Sequence, residues 1–314
     1  MNRFTPAEFN DSHQDEIDLL EILNILLKGK WIFCFVTSFI TIIGLTYSLL
    51  VPNLYESKAL LVPTQSSNSF SRNLDSYSAI ASLSGLSLPN GNSDDNSKKA
   101  LKKIVSLSFF ENNLLKNIHL PELMAFKSWN PITNKTSFNE SIYDITSNTW
   151  NRDYSYPKTQ IPSAQESFEV FKSKHLILSE DNKSGFIALS IKHQSPYIAK
   201  EWAELVVDEI NSYYREKDKT ESEAAVNYLK KQISITNFSE IKTVLAQLLQ
   251  EETKKLALIE ANKFYVFDYI DPPAVMEKKT EPRRSIILII SMMLGVTLSI
   301  FIIFARHFIS SRRV

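Results

Sequence analysis

The sequence predicts an α+β protein: a domain with a small mixed sheet at its base and long protruding α-helices, flanked by two transmembrane helices. Residues 31–51 and 285–305 contain no charged residue, and as a helix each run reaches about 31 Å, the thickness of a bilayer's hydrocarbon core. Segments between these runs alternate apolar and polar residues, as strands do. The stretch between Pro196 and Pro272 contains neither Pro nor Gly, which favours long helices.

We interpret the two apolar runs as membrane spans rather than buried core helices, because basic residues flank both. The first run is not a cleavable signal, since an acidic tail of some thirty residues precedes it and no small-residue cleavage site follows. Lys28 and Lys30 precede this run and only Lys58 follows closely, which favours a cytoplasmic N-terminus. The predicted segments are a cytoplasmic tail (1–30), the first span (31–51), an external domain (52–284), the second span (285–305) and a cytoplasmic tail (306–314).

The first part of the external domain combines one clear strand with less regular sequence. The segment "NLYESKALLVP" (53–63) alternates and predicts a strand directly after the first span. Residues 63–97 are rich in Ser and Asn and predict a loop, and we expect residues 119–162 to be irregular. Capping motifs at Ser108-x-x-Glu111 and Ser163-x-x-Glu166 each predict the start of a short helix.

Two further strands and two long helices follow. The segment "HLILSEDNKSGFIALSIKH" predicts a hairpin that turns at Gly185 and packs Ile187, Leu189 and Ile191 inward. A helix over 196–235, capped by Ser195, should be about 60 Å long. A second helix should begin at Asn237-x-x-Glu240. Finally "KFYVFDYIDPP" predicts a strand that pairs with residues 53–63, since both segments adjoin a span.

The second long helix carries an apolar stripe that must be covered. The two long helices could pack against each other as a hairpin, or the stripe could in addition pack against neighbouring copies of the chain. The residues of this predicted oligomer stripe are Ile241, Val244, Leu245, Leu248 and Leu249.

The segment before the second span is stiffened by prolines, which fix φ and donate no backbone hydrogen bond. We expect it to hold the orientation of the domain, with two arginines at the membrane interface. The residues of this membrane-proximal motif are Asp271, Pro272, Pro273, Pro282, Arg283 and Arg284.

Small residues recur along the spans at helical spacing. Ser291, Gly295 and Ser299 share one face of the second span, and Gly44 and Ser48 lie on one side of the first. Such faces allow two helices to approach closely, although chance use of small residues in apolar helices is an alternative. Neither span carries a charge, so we expect no ion pathway.

The sequence offers little for catalysis. Lys and Arg total 35 against 35 Asp and Glu, which argues against nucleic-acid binding. His175 and His193 could meet across the predicted hairpin, but no third ligand accompanies them, so we expect two surface or rim histidines and no metal. Because the sequence shows no nucleotide-binding or hydrolase motif, we expect no enzymatic activity and no cofactor. Cys34, the only cysteine, lies in the first span, so the domain has no disulfide.

Three blocks resemble the bacterial polysaccharide co-polymerases, also called O-antigen chain-length determinants or the Wzz family. The C-terminal block "VLAQLLQEETKKLALIEANKFYVFDYIDPPAVMEKKTEPRRSIILIISMMLG" is similar to that family's signature of helix, strand, proline segment and second span. The N-terminal block, "DEIDLLEILNILLKGKWIF" with "VPNLYESKALLVP", resembles its opening, and "SGFIALSIKHQSPYIAKEWAELVVDEIN" resembles its hairpin and the start of its long helix. Together they cover about half of the chain, and Met276 stands where the family usually has another proline.

This resemblance implies a non-enzymatic regulator of O-antigen or surface-polysaccharide chain length in the bacterial inner membrane, with a periplasmic domain. It implies a homo-oligomeric ring that works with the membrane polymerase and touches the bilayer and the nascent polysaccharide. Two alternatives share the topology: a component of capsule or exopolysaccharide export, and a membrane-bound sensor that lacks its own output domain, since only nine residues follow the second span.

Overall fold

The computed structural model describes residues 26–64, 93–181 and 183–311. Most of the predicted N-terminal tail and of the Ser- and Asn-rich loop therefore lie outside the described residues. The chain divides into two compact units. We call Met1–Pro52 with Glu281–Val314 the helical-pair unit, and Asn53–Thr280 the central unit.

The elements follow one another along the chain as helices that flank and interrupt eight strands. The helices are α1 (Lys30–Leu50), α2 (Ser93–Ile104), α3 (Leu107–Phe109, continued by a wider turn over Phe110–Leu114), α4 (Leu120–Met124), α5 (Ala164–Val170), α6 (Pro196–Ile235), α7 (Ser239–Ala261) and α8 (Arg284–Ser311). The strands are β1 (Tyr55–Pro63), β2 (Phe126–Asn130), β3 (Lys135–Phe138), β4 (Tyr143–Asp144), β5 (Thr149–Trp150), β6 (Leu176–Glu180), β7 (Ile187–His193) and β8 (Phe267–Asp271).

The helical-pair unit consists of α1 and α8, which pack against each other. Both are long and apolar enough to cross a membrane, and only 11 % and 22 % of their most apolar windows are buried. A core helix of a soluble domain would be mostly buried, whereas these two helices keep most of their apolar surface exposed. Helix α8 continues to Ser311, beyond the predicted end of the second span at residue 305, because charged residues such as Arg306 are compatible with a helix although not with a span.

The sheet of the central unit has the strand order β6-β7-β1-β8, and every neighbouring pair is antiparallel. The expectation of a mixed sheet was therefore wrong. The reason is the path of the chain: β6 and β7 form a hairpin, and β8 runs back along β1 toward the residue at which β1 began. The predicted pairing of the first and last strands is confirmed, with Leu61 opposite Tyr269.

One face of the sheet packs under the first half of α6. The predicted inward side chains Ile187, Leu189 and Ile191 are buried, as expected. The helix contributes Trp202, Val206 and Ile210 to the same core. Beyond Asn211 only Ser222 and Val226 of α6 are buried, so its second half extends past the sheet and packs on α7.

The structure corrects two of the three predicted capping motifs. Ser163 and Glu166 form the expected reciprocal cap of α5. At α3 the cap is Ser106, whose Oγ accepts from the Phe109 N–H, and not Ser108. Burial of Phe109 in the core places the start of this helix earlier than the motif predicts. Helix α7 begins after Phe238 without a side-chain cap, so Asn237 does not cap it.

The region expected to be irregular, 119–162, holds two small hairpins, β2–β3 and β4–β5. Their turns use asparagines with positive φ, Asn134 at 50° and Asn148 at 54°, a conformation that Asn tolerates better than most residues. Strands this short carry too little alternation to be predicted. A separate small core holds them together: Ala125, Phe138, Tyr143 and Trp150.

Asn211 joins α6 to the start of β8. Its side chain is buried, and three consecutive backbone N–H groups, those of Tyr265, Val266 and Phe267, donate to Oδ1 over 3.1, 2.7 and 3.0 Å. Its Nδ2 donates to the Phe267 carbonyl at 3.0 Å. One side chain therefore satisfies the backbone where the chain returns from α7 into the sheet.

Replacing Asn211 with Ala should lower the free energy of unfolding of the full chain by about 3 kcal/mol, because three N–H groups, two of them buried, lose the acceptor Oδ1. Chemical denaturation of the detergent-solubilised chain, followed by circular dichroism, measures this loss. Asn227→Ala, at an exposed position on the same helix, should change stability by less than about 0.5 kcal/mol. Equal effects of the two variants would contradict the role of Asn211.

Candidate functional site

Within the described residues, no group of three or more His, Cys, Asp or Glu side chains could hold a metal ion. The two hairpin histidines do meet: the rings of His175 and His193 stack with centroids 5.4 Å apart. His193 is only 1 % exposed, whereas His175 is partly buried, and both rings pack edge-on against Trp202. The expectation of a surface or rim position was therefore wrong for His193.

The hydrogen bonds of this pair assign His193 as neutral and place a proton on Nδ1 of His175. His175 Nδ1 lies 2.7 Å from the Lys192 carbonyl and must donate to it. His193 Nδ1 accepts from the Ser195 N–H at 3.0 Å, so its proton is on Nε2, which faces the Glu122 carbonyl at 3.4 Å. Burial lowers the pKa of His193 to about 3, and burial also lowers the pKa of His175. The pair is a structural element at the N-terminus of α6.

The stability of the central unit should fall in acid. An unfolded histidine binds a proton near pH 6.5, whereas protonating folded His193 would put a hydrogen on the nitrogen that accepts from Ser195. A lowered folded pKa means that stability is present above pH 6.5 and is lost as the pH falls below it. Between pH 7 and pH 5 the loss from His193 should be about 2 kcal/mol, measured by denaturation at both values.

Asn is the matched replacement for this test, since its Oδ1 can accept from the Ser195 N–H but does not titrate. His193→Asn should reduce the loss between pH 7 and pH 5. His119→Gln removes a histidine that is more than half exposed and should leave it unchanged. The same acid-dependent loss in His193→Asn as in the wild type would show that other groups cause it.

The structure brings the predicted small residues of the two apolar helices together. A Cβ added to Gly44 would lie 2.5 Å from Cβ of Ser291, and one added to Gly295 would lie 3.0 Å from Cα of Thr37. Neither position has room for a side chain without displacing the neighbouring helix. Ser48 and Ser299 are also fully buried. The face shared by Ser291, Gly295 and Ser299 is thus the face that α8 buries.

The proline-rich motif is not a free spacer, because the chain within it is hydrogen-bonded to the start of β1. Asp271 ends β8; Pro272, Arg283 and Arg284 are exposed, whereas Pro273 and Pro282 are buried. The intervening chain lies along the start of β1: Ser57 Oγ donates to the Ala274 carbonyl at 2.9 Å, and the Thr280 N–H donates to the Leu54 carbonyl at 2.8 Å. Lys279 Nζ also donates to Asn53 Oδ1 at 2.9 Å. We call residues 274–280 the strap.

The strap was missed by sequence reasoning because its hydrogen bonds join residues more than two hundred positions apart, and half of the bonding atoms are backbone atoms that no side-chain pattern reveals. The strap brings the two ends of the central unit together. The chain enters the central unit at Asn53 and leaves it at Thr280, and hydrogen bonds hold these two points together.

The predicted stripe on α7 is only partly covered by packing against α6. Leu245 and Leu249 are half-buried, while Ile241, Val244 and Leu248 are 50, 54 and 50 % exposed. Exposed apolar side chains continue around the connection between the two helices: Tyr228, Ile235 and Phe238. The two long helices therefore form the hairpin that we considered for a single chain, and the hairpin leaves much of the stripe open.

Comparison with known proteins finds a family model that matches the N-terminal part of the chain. Residues 15–105 match the family model "Wzz: Chain length determinant protein", which confirms the predicted resemblance over under a third of the chain. No curated protein sequence matches the chain.

Among solved structures, the fold is similar to a full-length bacterial polysaccharide co-polymerase, at 11 % identity and a TM-score of 0.40, over 94 % of this chain and 99 % of that one. A fragment of WzzB, a polysaccharide co-polymerase from Salmonella Typhimurium, is similar at 12 % identity and a TM-score of 0.31, over 73 % of this chain and 100 % of that fragment. Similarity at this level does not establish function.

Proposed function

We propose that this protein is a membrane-anchored, non-enzymatic regulator of the chain length of a bacterial surface polysaccharide such as O-antigen. One observation carries the proposal. The strap and the β1–β8 pair join the two ends of the central unit, and each end continues into an apolar helix. The family match over residues 15–105 supports the class of function.

In this proposal, α1 and α8 cross the inner membrane, both termini are cytoplasmic and the central unit is periplasmic. The charge-free lengths of the two helices fit a bilayer, and Lys28 and Lys30 precede the first span. A domain anchored at two joined points resists tilting better than one on a single flexible linker. Orientation relative to the membrane is what a scaffold for a growing polymer needs.

The working unit is a homo-oligomeric ring built through the stripe on α7. One chain leaves Ile241, Val244 and Leu248 half exposed on α7, and exposed apolar patches of this kind mark interaction surfaces. The ring presents its helices to the nascent polysaccharide, and the spans contact the membrane polymerase. The geometry of the ring then biases the length at which elongation ends.

Replacing Val244 and Leu248 together with Glu should separate the ring, because two charges would have to be buried where apolar side chains pack. Given the free energy of burying two such side chains, cross-linked high oligomers should fall about tenfold or more. Amine-specific cross-linking in intact membranes measures them. Gln247→Glu with Gln250→Glu adds the same charge at exposed positions of the same helix and should leave the oligomers unchanged; a loss there too would count against the stripe.

Deleting the gene should change the modal length of the surface polysaccharide and keep its amount, as seen in a gel ladder of the extracted polymer. Complementation with Gly295→Leu should broaden the length distribution, because a side chain there pushes α8 away from Thr37. Met293→Leu, at a position of α8 that is 64 % exposed, is the matched control and should restore the wild-type ladder.

The same ladder distinguishes the alternatives. Complete loss of surface polymer on deletion would favour a component of capsule or exopolysaccharide export. An unchanged ladder in both the deletion and Gly295→Leu would refute a role in chain length altogether.

A further inference from the structure

Residues 119–150 form a small part of the central unit that we call the flap. It holds the hairpins β2–β3 and β4–β5, whose strands have only two to five residues. Hairpins of this size are marginally stable by themselves, and the separate cluster of side chains within the flap is small. The flap therefore depends on its contacts with the main sheet to stay folded.

The flap contacts the main sheet at His193, the last residue of β7. The Phe126 ring lies edge-on to the His193 ring with centroids 4.4 Å apart, and the Glu122 carbonyl faces His193 Nε2 at 3.4 Å. Trp129 lies edge-on to Tyr55 with centroids 5.7 Å apart, and Tyr55 is opposite His193 in the sheet. The closed flap therefore contributes to the burial of the His193 ring.

The closed flap leaves no place for a second proton on His193. Nδ1 accepts from the Ser195 N–H at 3.0 Å, so a proton there would set two donors against each other. The added charge would also be buried among aromatic rings, which is costly. Burial, with a smaller contribution from His175, lowers the pKa of His193 to about 3. When the flap opens, the ring returns to water and its pKa returns to about 6.5.

We propose that the flap is an acid-released element, which opens from the sheet when the His193 ring takes up a proton, while the sheet and the long helices stay folded. The closed state binds the proton more weakly than the open state, so closure is favoured above about pH 6.5 and is lost as the pH falls below it. Histidine is the side chain whose charge changes in this range. Opening exposes Phe126 and Trp129 to solvent, and so changes the surface that the central unit offers to other molecules.

Other titratable groups face this site from the neighbouring elements. Burial raises the pKa of Glu122, whose carboxylate lies 3.8 Å from Nδ1 of the more exposed His119. Falling pH therefore protonates Glu122 more readily when the flap is closed, which opposes release. A comparison of pH 7 with pH 5.5 limits this opposing effect. Further charged groups near the site are Glu201 of α6, Lys174 beside His175, and Lys192 with Glu56 at 4.0 Å.

Hydrogen–deuterium exchange of the detergent-solubilised full chain, read by mass spectrometry at pH 7 and pH 5.5, tests the release. After correction for intrinsic exchange rates, the amides of β2 and β3 should exchange about eightfold faster at pH 5.5, because opening is linked to one proton with these two pKa values. The amides of β1 and β7 should change by less than about twofold. Equal acceleration in β1, β7 and the flap would mean that the whole central unit opens, which would overturn a local release.

Three variants separate the proton from the contacts. In His193→Asn the side chain still accepts from the Ser195 N–H but does not titrate, so the difference between the two pH values should disappear. Trp129→Leu removes an aromatic contact of the flap and should speed exchange of the flap by the same factor at both pH values. His119→Gln should leave the difference unchanged. A difference that persists in His193→Asn, or is lost in His119→Gln, would assign the proton to another group and refute the proposal.

The pH profile of the wild-type chain tests the proposal even where His193→Asn does not fold. Exchange of the β2 and β3 amides, corrected for the intrinsic rate, should begin to rise at about pH 6.5 and then increase about tenfold per pH unit. A rise that begins only below about pH 5 would show that carboxyl groups control the opening. Exchange that does not change with pH would show that no proton is linked to the opening. Either result would overturn the inference.

Discussion

The structure depends on the joining of the first and last segments of the central unit. Strands β1 and β8 pair side by side, and the strap continues this pairing until Thr280 is hydrogen-bonded to Leu54. A unit of more than two hundred residues thus begins and ends at one place. The strap and the β1–β8 pair therefore hold Asn53 and Thr280, the first and last residues of the central unit, close to each other.

The direction of α6 relative to the sheet is fixed by buried polar side chains, those of Asn211 and of the two stacked histidines. His193 accepts from the Ser195 N–H just before α6, where the Ser195 side chain does not make the capping hydrogen bond that the sequence predicts. Asn211 bonds the returning chain about two fifths of the way along the helix. Both are buried polar groups with satisfied hydrogen bonds, and such groups specify one arrangement better than apolar contacts do. Their positions at the two ends of the sheet-bound half of α6 fix its direction.

Sequence reasoning succeeded where side-chain period carries the information. The alternation of "SGFIALSIKH" predicted which side chains of β7 face the core, and spacing of four predicted which face of α8 buries Ser291 and Gly295. Sequence reasoning failed where backbone hydrogen bonds, or contacts with residues far away in the sequence, determine the structure. The strap bonds through carbonyls, β4 has two residues, and the choice between Ser106 and Ser108 as a cap depends on the burial of Phe109. The small residues were found without knowledge that Thr37 opposes Gly295, because spacing identifies a face but not its partner.

The distal half of the α6–α7 hairpin is the part of the fold that the single chain does least to stabilise. Beyond Val226 it has no sheet beneath it, and two antiparallel helices alone bury one stripe each. Helix propensity cannot offset the exposed side chains, since most helical stability in proteins comes from tertiary packing. A chain with that arrangement gains stability whenever another surface covers Ile241, Val244 and Leu248. In the ring that we propose, assembly and the ordering of the distal hairpin form a single equilibrium, and a longer or shorter hairpin would change the stability of that ring.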